Sequence, residues 1–300
     1  MNYESSEFSH ISSSTSIPTA MKVWQLYLAD QGKSNYTVKA FLGDLGLLTQ
    51  FLPQDAALGD ITTQDLNHFI DWLDKGRGKN ISCSPKSLSR RITTLKSFFR
   101  WLFEHGRISH DPADKIIQHT VISPLPEVLN SKELELVLET SNRIRFSVKT
   151  DVRSFTLLKL LLETGIKKSE CLNIKRSHIE TDEEKYLFVR YANGRDRNKE
   201  RKIPLSNEFT EVYQEYLDQY DPNDVVFPWS PRRLEYILED ISTAAGIEKH
   251  LSFSMCRWNS ALIDWKNGVE KDTIRQKLGI SKIQWREIKM KLQQLAQQTD

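Results

Sequence analysis

The sequence predicts a mainly α-helical protein of two domains, with a small antiparallel β-sheet in the second domain. Apolar residues recur at intervals of three and four along most of the chain, as they do between Leu88 and Leu102. Pro112, Pro124 and Pro126 interrupt any helix between the two halves. The chain has 300 residues, 39% of them hydrophobic, which is enough to bury two cores.

The N-terminal domain is predicted over residues 18–121. Residues 1–17 are rich in serine and have no apolar run, so we expect a disordered tail rather than a signal peptide. Helices follow, with a break at residues 31–33 and an N-cap at Thr62 that opens the next helix. In the last helix an apolar stripe repeats at intervals of four and three and is expected to pack inward. It consists of Leu88, Ile92, Leu95, Phe99 and Leu102.

The C-terminal domain is predicted over residues 122–300. A long apolar helix is expected from about residue 152 to 163. Residues 186–191 and 201–205 have the composition of two antiparallel strands joined by a basic turn. The remainder is helical in pattern and ends in an amphipathic helix over residues 282–297. Its inward residues are expected to be Ile283, Ile288, Leu292 and Leu295.

Composition excludes several classes of protein. No apolar run approaches the ~20 residues of a membrane-spanning helix, so we expect no membrane association and a cytoplasmic location. The three cysteines lie far apart, which fits reduced thiols and gives no metal-ligand pattern. We therefore expect no disulfide, no metal ion and no cofactor.

Positive charge is concentrated in two segments, although the formal net charge is only +2. Between residues 75 and 107, nine Lys or Arg residues stand against one acid, and between residues 249 and 291 ten stand against four. Charge runs of this kind are solvated helix faces in many proteins. They are also the electrostatic footprint of a nucleic-acid-binding protein, so their distribution is more informative than the net charge.

Several sequence boxes occur in the order and at the intervals of one enzyme family. From the N-terminus they are residues 88–102, Asp111-Pro112, residues 163–170 (ETGIKKSE), residues 198–205 (NKERKIPL), Ser254-x-x-Arg257 and Leu278-Gly279. Over most of its length the chain resembles the tyrosine recombinases, or phage integrases, of the Xer type. The resemblance implies a helical N-terminal core-binding (SAM-like) domain, a C-terminal domain with the recombinase catalytic fold, and double-stranded DNA as the partner.

Most residues that would carry the chemistry of that family are replaced in this chain. The resemblance puts the family's first Arg, its Lys, its two His and its nucleophilic Tyr at Lys167, Arg195 (or Asp196), Ser254, Ile280 and Lys289. Arg257 keeps its place, and Trp258 fits a pocket position where some members have Trp. No tyrosine follows Tyr236.

The replacements weaken every step that cleavage of a phosphodiester requires. Lys167 keeps a charge but lacks the planar fork with which arginine holds two phosphate oxygens, and a permanently charged Arg195 is a poor proton donor. Ser254 does not titrate near neutrality, and Ile280 has no polar group. Lys289 is normally protonated and would form a phosphoramide. We therefore expect no catalytic residue.

Contacts with DNA are expected from two groups of residues. The first lies on the polar side of the helix near residues 86–97, where short polar side chains flanked by cations suit a major groove and its phosphates. An ordinary wet helix surface is the alternative interpretation. The second group surrounds the altered pocket. Together the predicted contacts are Lys86, Ser87, Arg90, Arg91, Thr94, Lys96, Lys167, Arg195, Arg197, Lys199 and Arg257.

The leading hypothesis is a recombinase-like pseudoenzyme that clamps duplex DNA without cutting it, as an architectural, regulatory or accessory factor in DNA recombination or integration. The alternative is an active site-specific recombinase that uses an unorthodox nucleophile or a tyrosine supplied in trans by a partner. A third class is a protein-interaction scaffold that has lost DNA binding. The C-terminal helix could dock on an active recombinase or a second copy, or close its own core, and the sequence leaves these alternatives open.

Overall fold

The computed structural model of the protein describes residues 10–78, 81–119, 121, 123–147 and 150–298. The chain divides into two compact units, Met1–Ser123 and Pro124–Asp300, whereas the sequence predicted a boundary between residues 121 and 122. None of the described helices is long and apolar enough to cross a bilayer.

The first unit is a helical domain built around one aromatic-rich core. Trp24, Phe98 and Phe99 are fully buried there, and the rings of Trp24 and Phe98 meet edge to face at 5.2 Å. A side-chain cap fixes one of the helix starts, where Thr62 and Asp65 form a reciprocal capping box. The helices are α1 (Ile17–Asp30), α2 (Asn35–Phe51), α3 (Thr63–Asp74) and α4 (Pro85–Glu104).

The structure corrects the prediction of a disordered tail over residues 1–17. Ile11 and Ile17 are buried in the core of the first unit. The backbone N–H of Gly59 also donates to the carbonyl oxygen of Ser13 at 2.7 Å. Composition alone misses these contacts, because the serines between the two isoleucines mask a segment that is held by its backbone. The part of this prediction that concerns the first nine residues lies outside the described chain.

The second unit surrounds a central apolar helix, α6, which is buried on nearly all sides as its leucine-rich sequence predicts. The helices of this unit are α5 (Ser131–Arg145), α6 (Arg153–Thr164), α7 (Lys168–Cys171), α8 (Asn207–Tyr220), α9 (Pro231–Ala244), α10 (Phe253–Lys266), α11 (Lys271–Lys277) and α12 (Lys282–Gln298).

A three-stranded antiparallel sheet completes the second unit. Its strands are β1 (Ile179–Glu180), β2 (Tyr186–Val189) and β3 (Arg201–Pro204), in the order β1-β2-β3. Leu187 pairs with Ile203, and both are buried, so the register directs one face of the hairpin into the core. The predicted fold class, mainly α with a small antiparallel sheet, is confirmed. The two-residue β1 was not predicted.

The C-terminal helix α12 packs on its own unit. Leu292 and Leu295 are buried against Ala261 and Leu262 of α10. The prediction that Ile283 faces inward is wrong, since its side chain is 78% exposed. At about 100° per residue, the nine positions between Ile283 and Leu292 put the two side chains on opposite sides of the helix.

Candidate nucleic-acid interface

In the second unit, three cationic side chains surround one buried carboxylate. The segment after α6 turns at Gly165 and brings Lys167 to the start of α7. The backbone N–H of Lys167 donates to Oε2 of Glu170 at 2.8 Å. Burial lowers the pKa of the Lys167 ammonium, and the charges of Arg257 and Arg201 lower it further against the opposing effect of Glu170. The pocket therefore carries more positive charge than its single acid neutralises.

Glu170 is held by a bidentate arginine. Nη1 and Nη2 of Arg201 donate to its two carboxylate oxygens at 3.1 and 3.0 Å, and the Glu170 side chain is only 1% exposed. The Tyr191 hydroxyl donates to the same carboxylate. Burial alone would raise the pKa of Glu170, but the hydrogen bonds and charge of Arg201 hold it below its ordinary value. Glu170 is thus an ionised anchor of the pocket.

Arg257 joins the two loops that carry the altered positions. One of its Nη atoms donates to the carbonyl oxygen of Gly165, and the other donates to that of Leu278 at 2.6 Å. Burial lowers the pKa of the Arg257 guanidinium to about 10, which still leaves it charged at neutrality. A guanidinium has five N–H donors, so these two bonds leave donors for a further acceptor such as a phosphate.

The turn before Ile280 requires a glycine at position 279. Its φ of +58° lies in the left-handed region, and an added Cβ would lie 2.5 Å from Nη1 of Arg201. Nε of Arg201 donates to the carbonyl oxygen of Lys277 at 2.6 Å, so the guanidinium is fixed against this turn. Glycine is therefore required both by the backbone conformation and by the close approach of Arg201.

The positions that the sequence analysis predicts to be replaced lie in different environments. Ser254 is exposed in the first turn of α10. Ile280 and Trp258 are partly buried and pack against the small apolar cluster that anchors α12. Lys289 lies in the middle of α12 with its side chain exposed. The structure thus brings Lys167, Arg257 and Glu170 together, whereas Lys289 lies on a solvent-facing helix surface.

The turn between β2 and β3 carries further predicted contacts. It forms a 3-10 helix over Gly194–Lys199, in which Arg197 and Lys199 are exposed. Nζ of Lys199 lies 2.5 Å from Oδ1 of Asp196. The side chain of Arg195, a predicted replacement for the family's lysine, lies outside the described side chains.

Sequence reasoning missed one tyrosine of the pocket, Tyr191. It follows β2, and its hydroxyl is tied to Glu170. Burial, followed by the hydrogen bond to Glu170, raises the pKa of Tyr191 to about 12, which disfavours the phenolate that a nucleophile needs. The only sequence signal was its place at the end of a predicted strand, directly before the basic turn.

In the first unit, three of the predicted DNA contacts converge on the buried Asp44 of α2. Arg90 donates to both carboxylate oxygens, one of them at 2.8 Å, and Nε of Arg91 lies 3.4 Å from Oδ1. The Thr94 hydroxyl donates to Oδ2 at 2.8 Å, and Thr94 is fully buried. This corrects the prediction that Thr94 faces a groove: α2 covers that side of α4, so the polar residue satisfies a carboxylate.

The other predicted contacts on α4 differ in exposure. Lys86 is exposed, while Ser87 is half-buried and its hydroxyl accepts a hydrogen bond from Ser84 at 2.9 Å. Lys96 is also half-buried, with Nζ 3.5 Å from the carbonyl oxygen of Asp114. Within the described part of the chain, no group of three His, Cys, Asp or Glu residues could hold a metal ion.

Two family models match the chain. The model of the phage integrase family matches residues 127–288, more than half of the chain, and the model of the phage integrase N-terminal SAM-like domain matches residues 21–106. These segments fall in the second and first units, respectively.

Curated relatives and solved structures agree with these matches. The chain is 28% identical over 266 residues to tyrosine recombinase XerD of Listeria innocua, covering 84% of this chain and 86% of the relative. It is 24% identical over 278 residues to tyrosine recombinase XerC of Pediococcus pentosaceus, covering 86% and 88%.

Two solved structures share the fold. A lambda integrase dimer bound to a COC' core site matches with a TM-score of 0.71 at 16% identity, over 91% of this chain and 77% of that chain. The XerH site-specific recombinase bound to a palindromic difH substrate matches with a TM-score of 0.70 at 19% identity, over 94% and 84%. Because both family models match and the relatives align over most of the chain, the chain belongs to the tyrosine recombinase (phage integrase) family.

Proposed function

We propose that this chain binds duplex DNA without cutting it. The observation that carries this proposal is the contrast within one pocket: the cations Lys167 and Arg257 are kept around Glu170, whereas an exposed lysine, Lys289, stands where the family has its nucleophile. Cations alone suffice to hold a phosphate, but strand cleavage also needs a nucleophile and proton transfer.

Several observations support DNA as the ligand. Arg257 is charged at neutrality and has donors beyond its two carbonyl bonds. Among the described residues, the one acid that acts on Lys167 is Glu170, which Arg201 already neutralises. The lambda integrase and XerH structures that share the fold are complexes with DNA. A phosphate of an intact duplex would fit the donor set of this pocket, because phosphate contacts come chiefly from Arg, Lys and backbone N–H groups.

The absence of cleavage follows from the groups that surround the phosphate. Ser254 offers a hydroxyl but no group that titrates near neutrality, and Ile280 is apolar. Tyr191 is the tyrosine nearest to this cluster among the described residues, and its hydroxyl is committed to Glu170 with a raised pKa. The protein would therefore serve as an architectural, regulatory or accessory factor in DNA recombination.

Covalent trapping on nicked duplex DNA tests this proposal. Genomic fragments that the protein retains on a salt series supply the duplex, which is then nicked at each position near the centre of the bound site. We expect retention that weakens steeply with salt, and no protein–DNA adduct on a denaturing gel. An adduct that disappears in either Lys289→Ala or Tyr191→Phe would overturn the proposal and identify the nucleophile.

The retained pocket also favours one alternative, in which a partner supplies the tyrosine in trans. Arg257 and Lys167 would then position the phosphate for a nucleophile from another chain. Mixing this protein with a catalytically competent recombinase from the same cell distinguishes the two functions. Strand exchange that requires both proteins is expected of an accessory factor as well. A covalent adduct of the partner's tyrosine at the phosphate bound by this chain, lost in Arg257→Ala of this chain, would support the alternative.

A further inference from the structure

Helix α12 carries a basic stripe on its surface. Lys282, Arg286 and Lys289 follow one another at intervals of four and three and are all exposed. At about 100° per residue they lie within roughly 60° of the helix circumference, so their side chains leave the same side of α12. We call these three residues the basic stripe.

The stripe is held in a fixed orientation. Leu292 and Leu295 anchor the C-terminal half of α12 in the apolar cluster against α10. At the other end, the backbone N–H of Gln284 donates to Oγ of Ser281 at 3.2 Å, and the Gln284 side chain accepts from the N–H of Ser281 at 3.2 Å. Trp285 and Ile288 also pack against the same apolar cluster, so contacts along the helix keep the stripe on its exposed side.

The cations near the stripe form ion pairs with carboxylates, whereas most residues of the stripe do not. Arg275 and Lys277 of α11 each lie 2.6 Å from a carboxylate, and Lys291 of α12 lies 2.7 Å from Glu287 on the other flank of the helix. Arg286 and Lys289 have no carboxylate partner among the described residues. Their charge is therefore available to an external anion.

Lys282 is the partial exception. Asp272 is held mainly by the side chain of Arg275, which lowers the pKa of Asp272 to about 2, and the charge of Lys282 contributes to the same shift. Because Arg275 already provides the hydrogen bonds to Asp272, the Lys282 ammonium makes no ion pair of its own with a described residue.

The length of the stripe suits a duplex. From Lys282 to Lys289 the helix rises about 10.5 Å, and the two strands of a duplex together carry one phosphate per about 1.7 Å of its axis, so about six phosphates lie along that length. The stripe also begins three residues after Gly279, against which Arg201 lies. Its first residue is therefore close in the chain to a turn that contacts the cationic pocket.

We propose that the basic stripe of α12 binds the phosphate backbone of double-stranded DNA, and that Lys289 contributes a backbone contact rather than a nucleophile. This inference rests on the proposed function, since it assigns a second surface to the same DNA. Charge complementarity selects the occupant: three cations in a row with no acid among them match a regularly spaced polyanion.

The test is the salt dependence of DNA binding by the full chain. In the triple variant Lys282→Gln, Arg286→Gln, Lys289→Gln, the slope of log K against log salt should become shallower by about 2.7, because each phosphate contact contributes about 0.9. Affinity should fall most at low salt. All three side chains are exposed, so the thermal midpoint of unfolding should stay near that of the wild type.

A charge-matched control separates local contact from net charge. Lys132, Arg232 and Arg233 are exposed cations of the same unit with no carboxylate partner among the described residues, and their triple change to glutamine removes the same charge. We expect this control to keep most of the wild-type slope. An equal loss in both triple variants would overturn the stripe in favour of a diffuse field effect.

The remaining outcomes separate the two proposals. Wild-type protein that binds DNA with a steep salt slope, together with an unchanged slope in the α12 triple variant, would overturn the stripe alone and leave the proposed function standing. Wild-type protein that shows no salt-dependent retention of any duplex would overturn the proposed function and the stripe together.

Discussion

Each unit buries one carboxylate among cations, and the two sites use those cations differently. In the first unit, Asp44 is held by Arg90 and Arg91 of the basic helix α4. In the second unit, Glu170 is held by Arg201, a residue outside the predicted DNA contacts. The carboxylate of Asp44 thus forms ion pairs with arginines that the sequence predicted as DNA contacts. The carboxylate of Glu170 instead pairs with an arginine that was not predicted as a DNA contact.

This comparison shows that the number of clustered basic residues in a sequence is larger than the number of cations left free to bind DNA. Around Asp44, two arginines face one acid, and the Arg90 side chain remains 43% exposed. Around Glu170, Lys167 and Arg257 remain after Arg201 has neutralised the acid. The surplus is therefore larger in the second unit, although the first has the denser run of basic residues.

The largest effect is expected from breaking the Glu170 site. Glu170→Ala leaves Arg201 buried without its partner and should lower the free energy of unfolding by about 3–5 kcal/mol, measured by urea denaturation. The matched control is Glu208→Ala, which removes an exposed carboxylate that lies 2.7 Å from Lys159. A change of only about 0–1 kcal/mol is expected there. Equal effects in the two variants would contradict the buried-anchor role of Glu170.

The same site predicts a pH dependence. Since the folded pKa of Glu170 lies below its ordinary value of 4.5, its ionisation stabilises the fold above that value, and this contribution is lost as pH falls through the lower folded pKa. Glu170→Gln should therefore lose stability mainly above pH 4.5 and differ less from the wild type in more acidic buffer. Urea midpoints measured between pH 3 and 7 check this convergence.

Asp44 should give a smaller loss, because one of its two arginines is partly solvated. Asp44→Ala should lower the free energy of unfolding by about 2–3 kcal/mol and leave the buried Thr94 hydroxyl with only the carbonyl oxygen of Arg90, at 3.3 Å, as acceptor. Asp71→Ala, which removes an exposed carboxylate 3.6 Å from Lys75, is the control in the same unit and should change stability by at most about 0.5 kcal/mol. If Asp44→Ala also strengthens DNA retention, Arg90 has been released to the ligand.

The turn that carries Gly279 should give the next effect. Gly279→Ala adds a side chain at positive φ and displaces the Arg201 guanidinium, so we expect a loss of about 2–3 kcal/mol in the free energy of unfolding. Gly268→Ala shares the positive φ of +71° but has open space around the added Cβ. It should lose only about 1 kcal/mol. The difference between the two variants measures the Arg201 contact alone.

The fold could be predicted from the sequence to the extent that it depends on local patterns. The apolar stripe of α4 and the strands β2 and β3 are confirmed, because the spacing of apolar residues that predicts them involves only positions close in the sequence. The burial of Thr94 could not be predicted, since it depends on α2 covering α4 and on a carboxylate 50 positions away. In the sequence, a polar residue on a helix face gives the same pattern whether its hydrogen-bond partner is water or a buried carboxylate.

The candidate site was predictable in its positions but not in its contacts. The family boxes identified Lys167 and Arg257, and the structure brings both to one pocket. Spacing along the chain carried no sign that Arg257 binds two backbone carbonyls or that Tyr191 joins Glu170. Such contacts depend on how separate loops meet, which residue types alone do not encode.

The smallest expected effect on stability is also the one that separates function from structure most sharply. Burial and the neighbouring cations lower the pKa of Lys167, so the folded protein binds this proton less tightly than the unfolded chain does. The charged lysine therefore opposes folding at neutral pH. This penalty begins to shrink as pH rises through the folded pKa, and it is gone above the ordinary value of 10.5, where the unfolded chain also loses the proton. Lys167→Met should raise the thermal midpoint of unfolding by roughly 2 °C at pH 7.

The same variant should weaken DNA binding and make its salt slope shallower by about 0.9, the share of one phosphate contact. Lys168→Met serves as the control and should change neither the stability nor the slope appreciably, because the Lys168 side chain is 40% exposed and its Nζ lies 2.6 Å from Oε1 of Glu235 in an exposed ion pair. Greater stability with weaker binding is the signature of a cation kept for a ligand. Lower stability with unchanged DNA binding would instead make Lys167 a structural residue and leave Arg257 as the main phosphate donor of the pocket.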